Sequence, residues 1–146
     1  MRLNMDCVRD ILLCVEANAS QRAFCIFLDT GEESALDRKD YQVELDSKYG
    51  NEALIYHVRY CIDSGLIKTL DAIYAAVKNC TSWDEYAIFD LSVSGHDLIS
   101  KIRDDNRWTG VKKALPSIRN YSLDAINAIS QGMTSVAISA YLSKNP

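Results

Sequence analysis

Asn51-Glu52-Ala53-Leu54-Ile55-Tyr56-His57-Val58-Arg59-Tyr60-Cys61-Ile62-Asp63-Ser64-Gly65-Leu66-Ile67 is the stretch on which the fold turns. Leu54, Ile55, Val58, Ile62 and Leu66 recur at three- and four-residue spacing, so residues 51–64 are expected to form a helix with one apolar stripe. Gly50-Asn51 supplies a start. Gly65 is a natural stop, because glycine enters left-handed backbone without a Cβ penalty. Leu66-Ile67 then runs straight into extended chain. A helix that stops on glycine, pins its end with Leu and Ile, and feeds a two-stranded ribbon is a winged-helix signature.

The flanking chain is read by the same periodicities. Met5, Val8, Ile11, Leu12 and Val15 predict a helix over 5–17, with Asn4 as N-cap and Asp6 favourable in its first turn. Residues 23–28 are short and rich in β-formers and read as a strand; 29–40 read as a polar loop. Tyr41-Gln42-Val43-Glu44-Leu45 alternates apolar and polar, the pattern of a half-buried strand, which is expected to pair with 23–28 across that loop. Residues 70–77 suit helix and strand equally, 79–85 read as a loop, and 86–93 as a strand. Ser94 and Asp97 have capping-box spacing and are expected to open a third helix. Its apolar side is Leu98, Ile99, Ile102, Trp108, Val111 and Leu115. The pattern breaks near Asp104-Asp105-Asn106, where a turn between two helices fits, and Pro116 is expected to end the segment. Residues 122–142 form a last amphipathic pattern interrupted by Gly132. The expected fold is α+β: a winged-helix-like core with short strands over residues 1–116, and a C-terminal helical extension over 117–146 that packs or dimerises through 122–142.

The chain has 146 residues, enough for a core without disulfides or metal. Five cysteines, Cys7, Cys14, Cys25, Cys61 and Cys80, make an odd set with irregular gaps and no C-x-x-C pair, so neither a disulfide framework nor a zinc site is expected. They read as buried thiols. No apolar run resembles a signal peptide or a membrane span, and a cytoplasmic protein is expected. The net charge of −4 is unevenly spread. Residues 1–95 carry 9 basic and 16 acidic side chains, whereas 96–119 carry 6 and 3, so only one short segment has the basic character that phosphate binding requires.

Catalytic constellations are not apparent, and no enzyme activity, cofactor or metal is expected. His57 has no titratable partner spaced to tune it, and reads as a half-buried histidine held by one hydrogen bond. His96-Asp97 lacks a nucleophile and an oxyanion motif, and reads as a hinge at a helix start. Arg103-Asp104-Asp105-Asn106-Arg107 lacks the ligand alternation of a calcium loop; its aspartates are expected to pair locally or to cap the next helix. Trp108 reads as core.

Three motifs also carry a resemblance. Met5-Asp6-Cys7-Val8-Arg9-Asp10-Ile11-Leu12-Leu13 is the first. Ile55-Tyr56-His57-Val58 through Ser64-Gly65-Leu66-Ile67 is the second. The third is Leu91 through Gly95-His96-Asp97, followed by Ile102-Arg103-Asp104-Asp105 and Trp108-x-x-Val111-Lys112. Together, over roughly residues 4–115, the chain resembles the DUF2513 family of small bacterial and prophage proteins. It departs in longer segments at 19–48 and 68–86, and in Val93-Ser94 where the family has Trp-Glu. The resemblance implies a winged-helix-like fold and a mobile-element context, and brings no activity with it.

Two functions follow as expectations. The first is a winged-helix DNA-binding or regulatory protein, a homodimer through 122–142. It would read DNA with Asn51, Arg59 and Tyr60, helped by Lys101, Arg103, Arg107, Lys112 and Lys113. The second is a protein-binding module, such as an acidic phage accessory protein that docks through Glu32, Glu33 and Asp37 and inhibits a host or immunity complex. The candidate recognition helix carries Glu52 and Asp63 against Arg59 alone, which opposes tight DNA binding.

Overall fold

Asn4 starts the first helix as expected. Its side chain accepts from the amides of Asp6 and Cys7, and α1 runs Met5–Asn18. In this computed structural model, which describes residues 1–31, 38–69, 84–118, Leu123 and Ile126, the order is then β1 (Cys25–Asp29), α2 (Asp40–Tyr49), α3 (Asn51–Asp63), β2 (Ile67–Thr69), β3 (Asp84–Leu91), α4 (Val93–Ile102) and α5 (Asp105–Ile118). The described residues thus form an α+β fold of five helices and one three-stranded antiparallel sheet, in the order β1-β3-β2. Cys25 faces Ile88 and Phe27 faces Tyr86 across one ladder; Ile67 faces Leu91 across the other, with a register shift between Lys68 and Thr69. The chain divides into two compact units, Met1–His96 and Asp97–Pro146.

The first unit is built on apolar faces that meet. Cys7, Val8, Ile11, Leu12 and Val15 of α1, and Leu54, Val58 and Cys61 of α3, are fully buried, as are Cys25, Phe27, Ile88 and Leu91 of the sheet. Each buried Leu, Ile or Val contributes about 1.5–3 kcal/mol of transfer free energy. The stop at Gly65 takes the expected form. Gly65 has φ 71°, its amide donates to the carbonyl of Ile62, and the Leu66 amide donates to Cys61. These are the two hydrogen bonds of a Schellman motif, with Leu66 buried beside the helix end.

That turn is fastened from the far end of the ribbon. Ser92 donates its amide to Leu66 O at 2.9 Å and its hydroxyl to Gly65 O at 2.5 Å. The same hydroxyl accepts from the Gly95 amide at 3.0 Å, and the Ser92 carbonyl accepts from the His96 amide. Ser92 therefore caps α4, two residues before the expected Ser94, because only Ser92 reaches both the helix amides and the Gly65 turn. Gly95 is required at this joint for space: a Cβ there would lie 2.1 Å from the Leu66 carbonyl oxygen.

Residues 41–45 are not a strand. α2 covers them, and the expected pairing with residues 23–28 does not form. The helix turns Gln42 and Leu45 inward and leaves Val43 exposed, which period-two alternation would have placed inside. β1 pairs with β3 instead, and side chains occupy its other edge. The Tyr41 hydroxyl accepts from the Ile26 amide (2.7 Å) and donates to the Ile26 carbonyl (3.1 Å). The fully buried Gln42 amide accepts from Leu28 N and donates to Leu28 O, at 2.8 and 2.7 Å. Two side chains thus do what a fourth strand would do, and the edge is closed to other chains.

In the second unit the turn near 104–106 is present. Asp104 caps α5, its carboxylate accepting from Arg107 N at 2.8 Å. Trp108 is buried with Ile102 and Val111, as expected of core. α5 continues to Ile118, so Pro116 lies within its last turn and does not end it. The readings over 70–77 and 79–83 fall outside the described residues. So does most of 122–142, where Leu123 and Ile126 are helical and Ile126 is buried.

Chemical denaturation checks the joint. An interior helical Gly→Ala change ordinarily gains up to about 1 kcal/mol; Gly95→Ala is expected to lose about 1–3 kcal/mol, because the added carbon meets backbone. Ser92→Ala is expected to cost about 1–2 kcal/mol, and Ser94→Ala less than about 0.5 kcal/mol.

Candidate functional site

The exposed side of α3 borders an open groove of about 1100 Å³ in the first unit. Asp29 and Gly31 at the end of β1 line it, with Tyr49, Asn51, Glu52, Tyr56, Arg59, Tyr60 and Asp63 along and before α3. The groove exists because α3 buries its Leu54-Val58-Cys61 stripe and so presents Glu52, Tyr56, Arg59 and Asp63 to solvent.

Three expected site residues therefore come together: Asn51, Arg59 and Tyr60 share this groove. Asn51 is already committed, however. Its amide oxygen accepts from Thr30 N at 3.0 Å, and its nitrogen donates to Leu28 O at 3.0 Å and to Asp46 at 3.2 Å. It completes the β1 edge that Tyr41 and Gln42 begin. Lys101, Arg103, Arg107, Lys112 and Lys113 all belong to the second unit. There Lys101 pairs with Asp97 at 2.6 Å, and Lys112 lies over the Trp108 ring at 5.8 Å. Glu32, Glu33 and Asp37 lie outside the described residues.

Both histidines have structural surroundings. His57 is 2% exposed and makes two hydrogen bonds rather than the expected one. Its Nε2 accepts from Asn4 N at 2.8 Å, so Nδ1 carries the proton and donates to Ala53 O at 2.7 Å. The ring thereby ties the start of α1 to α3. His96 lies 3.2 Å from Asp90, both about half exposed. Among the described residues, no group of three or more His, Cys, Asp and Glu converges to hold a metal. No helix there is long and apolar enough to cross a membrane.

Several residues that shape the site were not picked out from the sequence. Lys48 and Tyr49 both reach the Asp10 carboxylate, at 2.6 and 2.5 Å, and join α2 to α1 beneath the groove. Arg38 pairs with the buried Asp46 ahead of α2. The available signal was the Lys48-Tyr49-Gly50 ending, a basic last turn before glycine, which marks a helix terminus where alternation suggested a strand.

The model of the DUF2513 family, described as a hypothetical protein, matches residues 2–120. The chain belongs to this family. That span takes in both halves of the Gly65–Ser92 joint and every described groove residue except Met1. An uncharacterized protein of Haemophilus influenzae (strain Rd) is similar to this DUF2513 chain, with 28% identity over 138 residues, covering 92% of this chain and 97% of that relative. No solved structure matches.

The groove's supporting tyrosines give a pH dependence. Burial pushes the Tyr49 phenol up, and its hydrogen bond to Asp10 pushes it further. Burial likewise raises Tyr41, and raises the Cys7 thiol to about 12. The folded chain keeps these protons where the unfolded chain, with ordinary values of 9.0 for the thiol and 10.0 for the phenols, releases them. Their contribution is intact below pH 9 and lost as the pH rises from there through the folded values. Urea midpoints measured across this range are expected to fall steadily, and Tyr49→Phe is expected to flatten the alkaline limb.

Proposed function

We propose that this chain is a non-catalytic binding module of winged-helix type, whose α3 groove receives a cationic segment of a partner protein. The winged-helix reading is supported by the order α1-β1-α2-α3-β2-β3 and by the sheet order β1-β3-β2. α2 and α3, joined at Gly50, stand where a helix-turn-helix pair stands, and β2 and β3 form the legs of the wing.

One observation carries the choice of partner. Among the described residues, the groove holds Asp29, Glu52 and Asp63 against one side-chain base, Arg59. A helix that reads the major groove presents Arg, Lys, Asn or Gln to base edges and keeps acids away from phosphates. Here Asn51 donates inward and Asp63 sits one turn beyond Arg59. The same surface suits a Lys- or Arg-bearing segment, with the exposed Tyr56 and the neighbouring Tyr60 as faces for cation–π contact. The DNA-binding reading is favoured by the order of elements, which many DNA readers share, and is the second reading.

Fluorescence anisotropy separates the two. Lys/Arg-rich peptides carrying one aromatic side chain are expected to bind the native chain, and Glu52→Lys with Asp63→Lys is expected to weaken them at least about ten-fold, or about 1.4 kcal/mol. A short DNA duplex is expected to bind that double variant better than the native chain. Salt-dependent duplex binding by the native chain, lost in Arg59→Ala, would instead establish the DNA reading.

A further inference from the structure

We propose that Cys14 and Cys25 form a thiol–disulfide exchange site, in which a small disulfide reacts at Cys14 and the two protein sulfurs end bonded to each other. The two sulfurs lie 4.0 Å apart, one in the last turns of α1 and the other at the first residue of β1. A disulfide needs about 2 Å, so the remaining approach is on the scale of a side-chain rotation. The intervening chain is already folded back, with Ser20 and Ala23 bridged to each other.

The pair is asymmetric in the sense that exchange chemistry requires. Cys14 is half-buried, whereas Cys25 is fully buried. Asn18 donates to the Cys14 sulfur at 3.6 Å and to the Cys14 carbonyl at 2.8 Å. The hydrogen bond shared with Cys25, helped by Asn18, holds the Cys14 thiol below the usual thiol range against its burial. The same contact, with burial, pushes Cys25 up. Cys14 is thus the reachable nucleophile and Cys25 the protected resolving thiol. Cys7 and Cys61 are both buried, and desolvation pushes their thiols up.

The balance is simple, with oxidised glutathione as the small disulfide. The Cys14 thiolate attacks one of its sulfurs. The glutathione S–S bond breaks, and one glutathione thiolate leaves and takes up the proton that Cys14 released. Cys25 then gives up its proton and attacks the Cys14 sulfur of the mixed disulfide. The second glutathione thiolate leaves and is protonated. Two protein thiols are oxidised and one small disulfide is reduced to two thiols.

The test treats the reduced full chain with oxidised glutathione at neutral pH, then digests it with trypsin without reduction. Arg9, Arg22 and Arg38 place the two cysteines in separate peptides, 10–22 and 23–38. These are expected to be recovered linked, with an intact-mass loss of about 2 Da for the two hydrogens removed. The bond is expected to raise the Tm by roughly 5–10 °C. Cys25→Ser is expected to stop with one glutathione on Cys14, and Cys14→Ser to leave Cys25 unmodified. Unlinked wild-type peptides, with Cys14 still a thiol or still carrying glutathione, would overturn the proposal. That digest uses the native chain, so it decides even where a variant folds poorly.

Discussion

Ser92 holds together the chain turns that end α3 and begin α4. Its amide and hydroxyl take the carbonyls of Leu66 and Gly65, and its oxygens receive the first amides of α4. One residue thereby pairs the carbonyls just past the end of α3 and amides in the first turn of α4. The exit of α3, the entry of β2, the exit of β3 and the start of α4 become a single joint. Gly95 belongs to the same constraint, since its missing Cβ is what lets the helix start sit against Leu66 O.

The second constraint is the free edge of β1. A three-stranded sheet with β3 in the centre leaves one side of β1 unpaired. Tyr41, Gln42 and Asn51 fill that side with side-chain oxygens and nitrogens at 2.7–3.1 Å from the Ile26, Leu28 and Thr30 backbone. This solution shapes the candidate site. It brings α2 and the start of α3 against the strand, and so forms one wall of the groove. It also commits the Asn51 amide, which would otherwise be the best base-reading group on α3. What remains at the groove beside Arg59 is acidic and aromatic, and the proposed preference for a cationic protein segment comes from that remainder.

The sequence made the long amphipathic elements legible. Residues 5–17 and 51–64 show their helices because the apolar stripe and the caps, Asn4 and Gly65, agree with each other. Residues 41–45 misled because five residues can alternate by accident. The helix there is selected by tertiary demand: Gln42 is buried only because Leu28 offers it a matching amide and carbonyl. The cap at Ser92 was missed in favour of Ser94 for a similar reason, since the Gly65 carbonyl that selects it is 27 residues away. For the site, the exposed face of α3 could be read from periodicity, and Asn51, Arg59 and Tyr60 do meet in one groove. The contribution of Asp29 and the commitment of Asn51 could not be read, because both depend on β1 lying beside α3. The proximity of Cys14 and Cys25 was equally hidden, since their spacing names no motif.

The Gly95-His96-Asp97 string after β3 gains a physical meaning from this joint. The glycine is the point of closest approach, and the aspartate takes Lys101 one turn on. The joint is expected to be as firm as the core it connects. Native-state amide hydrogen exchange measures that directly. The Leu66, Ser92 and Gly95 amides are expected to exchange only with global unfolding, as slowly as the amides of Val58 and Cys61 inside α3. Exchange of those three at loop-like rates, while the centre of α3 stays protected, would contradict the central claim that the Ser92 joint fixes the helix and the ribbon as one body.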